Sequence, residues 1–191
     1  MGVMELVGMA FAKHTPYRSD FKYAYGRIDM ENLDELFEHA LRDTLDAERQ
    51  LLKALPKLAK AATSEELQAA FEEHKGQTEE QVGRLETIFK SLDKAARGKH
   101  CPGMEGLITE GDQLIKEEEP GATLDAALIG AAQKAEHYEI AAYGTLATYA
   151  RLLGMEQAVE LLETTLAEEK ETDEKLTAIA HELNLEAAES N

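Results

Sequence analysis

Four stretches of the chain, each roughly 30 residues or 45 Å of helix, carry an apolar side chain every three or four positions, and each breaks that stripe at its middle with polar residues. The first stripe reads Phe37, Leu41, Thr44, Glu48, Leu51, Leu55, Leu58, and the second Leu67, Phe71, His74, Thr78, Gln81, Leu85, Ile88. The third reads Leu128, Ala132, Ala135, Glu139, Ala142, Leu146, Tyr149, and the fourth Leu162, Thr165, Glu169, Thr172, Leu176, Ile179, Leu183. A stripe of this spacing lies along one face of a helix and has to be covered by other helices. Four of them predict an all-α bundle with polar groups halfway along its core.

Local signals set the boundaries. "NLDE" is a capping box, Asn32 as cap and Glu35 reaching back. The first helix is expected to run to about Ala62 with a kink at Pro56. Thr63 or Ser64 caps the second, which runs to about Leu92. "DKAARGKHCPG" is a loop, "MEGLITEGDQLIKEEE" a short helix, and "PGAT" its end. Thr123 is the expected cap of the third long helix, which stops at Gly154, and the fourth runs from Met155 to about Asn184. Two tight turns and one long connection carrying a short extra helix predict a ferritin-like four-helix bundle. An up-down-up-down bundle needs only short loops.

Counting from the turns gives heights. Glu139 lies 15 residues before Gly154 and Glu169 lies 15 after it. About the turn at Thr63, Glu48 lies 15 residues before and Thr78, the middle of the His74–Gln81 face, 15 after. In antiparallel helices equal counts mean equal heights, so all four polar insets share a level roughly 22 Å from each turn.

Carboxylates without partners in a core become protonated or open it, and a bound cation removes that cost. Carboxylate oxygens with an imidazole suit iron, manganese or zinc. The candidate ligands are Glu48, His74, Gln77, Glu136, Glu139 and Glu169, for one or two ions per chain. Glu136 and Glu139, one turn apart in "EHYE", can face one ion or two adjacent ions, and His74 and Gln77 share that spacing. A single glutamate on a long helix is ordinarily solvated, so the matched heights carry the argument. His137 points off the stripe, and His14, His39, His100 and His181 have no matching partners. The run at 117–119 reads as a solvated face.

Acidic residues number 38 against 20 basic ones, a net charge of −18. That field repels nucleic acid and admits cations or a basic protein partner. No run of about 18 apolar residues predicts a membrane span. The opening "MGVMELVGMAFAKH" holds Glu5 and lacks a basic region ahead of it, so it reads as a poor signal peptide. One cysteine, Cys101, permits no intrachain disulfide and fits a reducing, cytoplasmic setting. Cys101 is a structural thiol or a redox-active one without a resolving partner. Residues 1–28 carry Phe11, Tyr17, Phe21, Tyr23 and Tyr25 without a period. They read as an N-terminal arm, either loosely docked or packed on a neighbouring subunit, or in part as a wrong start site. Residues 29–191 form one bundle domain.

The segments "LRDTLDAERQLLKALPKLAKAA", "CPGMEGLI", "DAALIGAAQKAEHYEIAAYGTLATYA" and "LLETTLAEEKETDEKLT" resemble the YciF/YciE family of bacterial stress proteins over about residues 30–184. The resemblance implies a ferritin-like, rubrerythrin-like bundle and a homodimer. Carried onto this chain, the ferritin-like pattern matches Glu48 to the single carboxylate of the first helix, Glu136 and Glu139 to the pair of the third, and Glu169 to the carboxylate of the fourth. The second helix departs from it, with His74-x-x-Gln77 in place of Glu-x-x-His. On the fourth, Thr172 stands where a histidine is usual, with Asp173 next.

Two functions follow as expectations. One is a metal-binding bundle with peroxide- or oxygen-dependent redox activity, in which Tyr143 either supports a ligand or only packs the core. The other is a non-enzymatic dimeric stress protein that binds a partner and keeps a degenerate metal site. A storage cage is a third idea without visible cage contacts.

Overall fold

The structure, a computed structural model, describes residues 32–189. They form five helices and no strand: α1 Leu33–Ala61, α2 Glu65–Ser91, α3 Pro102–Glu117, α4 Ala122–Leu152 and α5 Glu156–Glu189. This is the expected all-α bundle of four long helices with a short one in the crossover. The arm 1–28, with its aromatic residues and His14, lies outside the described residues.

The helix starts follow the sequence signals in part. Asn32 accepts the Glu35 amide at 2.9 Å, and Ser64 accepts the Leu67 amide at 3.3 Å. Pro56 lies inside α1. Three boundaries differ from expectation. Thr123 does not cap α4, which begins at Ala122 behind Gly121 and has no side-chain cap. Gly121 has φ +155, a conformation open in practice only to glycine, and it sets the entry angle instead. Helix α3 begins at Pro102 rather than Met104, with Cys101 as its cap and proline in the first turn, where a missing amide costs nothing. Helix α5 passes Asn184 and continues to Glu189, because Leu185, Glu186, Ala187 and Ala188 favour helix and no glycine or proline intervenes. Gly154, at φ +71, closes the α4–α5 turn as expected.

The interior holds two separate apolar cores. One gathers Leu51 and Leu55 of α1, Leu67 and Phe71 of α2, Leu124 and Leu128 of α4, and Leu176 and Ile179 of α5. The other gathers Phe37 and Leu41, Leu85 and Ile88, Leu146 and Ala147, and Ala158 and Leu162 from the opposite ends of those helices. Each of the packed pairs α1/α2, α1/α4, α2/α5 and α4/α5 therefore runs antiparallel.

The link from α2 to α4 consequently has to travel the bundle's length. Its first part lies along α1. The Lys99 amide donates to the Arg42 carbonyl at 2.9 Å, the Cys101 amide to Asp46 at 2.9 Å, and Gln50 to the Cys101 carbonyl at 3.0 Å. Arg42, Asp46 and Gln50 occupy successive turns of one α1 face. Helix α3 then rests against α1 and α4, with Met104 buried beneath it and ion pairs Lys57–Asp112 and Lys134–Glu110 at its edges. Among the described residues no helix is long and apolar enough to cross a membrane.

Candidate metal centre

Between the two cores lies a buried polar layer. Helix α1 contributes Thr44 and Glu48, α2 His74, Thr78 and Gln81, α4 Glu136, Glu139 and Tyr143, and α5 Thr165, Glu169 and Thr172. Each group is spaced by three or four residues on the inward stripe of its helix, which is why the layer is continuous across the bundle. The equal heights counted from the turns are thus met in space.

His74, Glu136, Glu139 and Glu169 each offer a ligand atom, and these atoms lie within 4.8 Å of one another. His74 Nδ1 is 3.1 Å from Glu136 Oε1, and Nε2 is 3.8 Å from Glu169 Oε2. Neither approach has hydrogen-bonding geometry. Among the described residues, every buried side-chain nitrogen or oxygen without a hydrogen-bond partner belongs to Glu48, His74, Gln81, Glu136, Glu139 or Glu169. Such atoms are expensive to bury and are almost always satisfied in folded proteins.

Burial dominates the electrostatics. It holds the Glu136, Glu139 and Glu169 carboxyls well above the usual carboxylate range, and the charge of Glu48 adds to the effect on all three. Burial also pushes Glu48 up to about 7, against the pull of the hydrogen bond it receives from Tyr143. His74 is pushed down to about 4 by burial. A neutral imidazole is the form that ligates metal.

Glu48 sits beside this group, one oxygen bonded by the buried Tyr143 hydroxyl and the other free. Gln77 is half-buried, and its side-chain oxygen accepts the Thr172 hydroxyl at 3.2 Å. Gln77 and Thr172, two of the three residues that depart from the ferritin-like pattern, therefore bond to each other. On the α2–α5 side Arg84 forks onto Glu168 at 2.5 and 2.7 Å and donates to Thr165 at 3.1 Å. Sequence reasoning missed this clamp, since Arg84 and Glu168 are charged residues off the apolar stripes.

The remaining candidates are placed plainly. His137 is exposed, 3.5 Å from Asp173. His100 is exposed between Asp46 and Glu105, and His181 is exposed. His39 lies 2.6 Å from Lys99, and partial burial and that ammonium lower its pKa. The Tyr138 hydroxyl donates to Asp43 at 2.7 Å, so its single proton is committed and the Cys101 thiol, 2.9 Å away, is the donor to Tyr138. Burial raises the Cys101 pKa, and the buried thiol caps the start of α3.

The donor set suits a transition metal. Three carboxylates and an imidazole converge without other partners, and this is the oxygen- and nitrogen-rich environment that iron, manganese or zinc favours. Four antiparallel helices with one long crossover and inward-facing glutamates at mid-height define the ferritin-like class of bundle. Comparison with known proteins narrows the class: the chain belongs to the family described as a domain of unknown function, DUF892, which it matches over residues 32–189. It is 48% identical to Protein YciF of Escherichia coli K12 over 155 residues, 80% of this chain and 93% of that protein. The crystal structure of the E. coli stress protein YciF superposes with a TM-score of 0.78 at 46% identity, covering 81% of this chain and 98% of that one. A Rhodopseudomonas palustris protein described as a putative structural protein gives 0.77 at 41% identity, covering 80% and 97%. A Xanthomonas campestris protein at 19% identity, with a TM-score of 0.67 over 83% and 97%, shares the fold.

Proposed function

We propose that the protein is a stress-related, ferritin-like metal binder whose polar layer holds one or two ions of iron, manganese or zinc. The observation that carries this reading is the confinement of all unpartnered buried polar atoms among the described residues to one layer of the bundle. His74, Glu136, Glu139 and Glu169 would hold the first ion, and Glu48 would extend the set toward a second. Bound there with an open position, a redox-active ion would supply electron transfer to peroxide or dioxygen.

The chain's own groups prepare the site. Tyr143 fixes one Glu48 oxygen and leaves the other free. His74 lies between Glu136 and Glu169, so one of its ring nitrogens can join these carboxylates around an ion. The two apolar cores exclude water above and below. Arg84 and Gln81 together occupy Glu168 at the edge of the layer, while Glu169, on the inward stripe of α5, faces into it.

A second reading, a non-enzymatic protein that acts as a dimer or through another partner, is favoured by one contact. Gln77 and Thr172 satisfy each other, which withdraws both from a second ion. Anaerobic reconstitution of the full chain with ferrous iron, followed by metal analysis and exposure to peroxide, tests the two. Stoichiometric iron that is oxidised by peroxide supports the first reading. Substoichiometric metal in a folded protein leaves the second.

A further inference from the structure

A pocket beneath α3 leads to the polar layer from the side. Leu55 and Leu58 of α1, Leu107 and Gly111 of α3, and Ala131 and Ala135 of α4 line it. Its outer end is Asp112, a third exposed and held by Lys57 at 2.9 Å. Its inner end is the buried pair His74 and Glu136. The space open to a water-sized sphere is about 20 Å³. That is enough for one small molecule and no more.

The wall chemistry decides what can use it. A water molecule needs two or more polar partners to stay in a cavity; along these aliphatic walls it finds none, and only the inner end, at His74 and Glu136, offers them. A hydrated cation is larger and loses its hydration shell against such walls. Peroxide meets the same cost as water in passing along the walls. A small uncharged molecule without hydrogen-bonding needs meets no such cost.

We propose that this pocket admits a small apolar ligand of the dioxygen class to the His74–Glu136 edge of the polar layer. The inference rests on the metal-binding reading for its purpose but not for its test. Gly111 lines the pocket next to Leu58 and Ala131. A Cβ there would lie 3.8 Å from Leu58 Cδ2 and 3.9 Å from Ala131 Cβ, ordinary contacts that narrow the space without distorting it.

The experiment uses the metal-free full chain and dissolved dioxygen, whose paramagnetism speeds nuclear relaxation nearby. Methyls of Leu55 and Ala135 and the His74 ring protons are expected to relax severalfold faster than equally buried methyls of Leu41 and Leu146 in the opposite core. Ala131→Leu is expected to abolish the excess. Gly111→Ala, which leaves the fold intact, is expected to reduce it. Equal enhancement in both cores, or an excess unchanged by both substitutions, overturns the proposal. A full excess in a protein that takes up no metal upholds the pocket and rejects the metal reading, so the two failures are distinct.

Discussion

Asp125 and the glutamates about three turns further along α4 are all acids buried in the same bundle, and their surroundings are opposite. Asp125 Oδ1 accepts the Thr63 amide at 2.8 Å, and Oδ2 accepts the Thr63 hydroxyl at 2.7 Å and the Ser64 amide at 2.8 Å. These donors belong to the α1–α2 turn, so the carboxylate pins that turn to the start of α4. Glu136, Glu139 and Glu169 have no such donors on either oxygen. A buried acid is therefore not in itself a sign of a metal. The sign is a buried acid that the fold leaves unsatisfied.

The sharpest way to break this comparison is Glu139→Ala. In the wild type a metal present at about 1,000 times its dissociation constant is expected to add about 4 kcal/mol of stability. The variant is expected to lose that increment while its metal-free stability stays equal or rises, since a costly buried carboxyl has gone. Thermal unfolding with and without ferrous iron reads both, and equal metal-induced shifts in the two proteins would falsify the site.

Asp125→Ala is expected to cost about 2–4 kcal/mol, because charge-assisted hydrogen bonds are lost and their donors stranded. That loss should be the same with and without metal in urea titrations. A cost confined to the metal-loaded protein would erase the distinction drawn between the two acids.

A graded effect is expected from pH in the metal-free protein. Glu48 rises from 4.5 to about 7 on folding, so its contribution is complete below pH 4.5 and lost as pH climbs through 7. Glu136, Glu139 and Glu169 shift in the same direction. His74, lowered from 6.5 to about 4, acts oppositely: its contribution is present above pH 6.5 and lost as pH falls through 4. The carboxyls outnumber it, so the metal-free urea midpoint is expected to fall as pH rises from 4.5 to 7. Metal should abolish or reverse the trend, because the ion needs deprotonated ligands. A metal-free midpoint that climbs across this range contradicts the prediction.

The smallest effect is expected from Thr63→Val, which removes one of three donors to Asp125 and should cost about 1 kcal/mol by equilibrium unfolding. A null result would mean that the two backbone amides satisfy Asp125 alone.

Much of the site was legible because helical periodicity is a local property. The insets at Glu48, Glu139, Glu169 and the middle of the His74–Gln81 face could be placed at one height from spacing alone, and Glu48, His74, Thr78, Gln81, Glu139 and Glu169 are all buried in the layer. Glu136 was found from the same helix, one turn away. The cap at Thr123 was misread because Gly121 acts through backbone freedom, which a search for side-chain caps does not weigh. The end of α5 was placed too early because Asn184 reads as a stop only where the following residues do not favour helix.

The sequence by itself determined the number of long helices, their order, the single crossover and the level at which the core turns polar, since each follows from spacing within one segment. Only the tertiary structure decided which polar groups find partners. Asp125 meets Thr63 across 62 residues, while Tyr143 meets Glu48 and Thr172 meets Gln77 across 95. The pocket under α3 likewise exists only once three helices have come together. Periodicity points a side chain inward, but what it meets there depends on packing between segments remote in the chain.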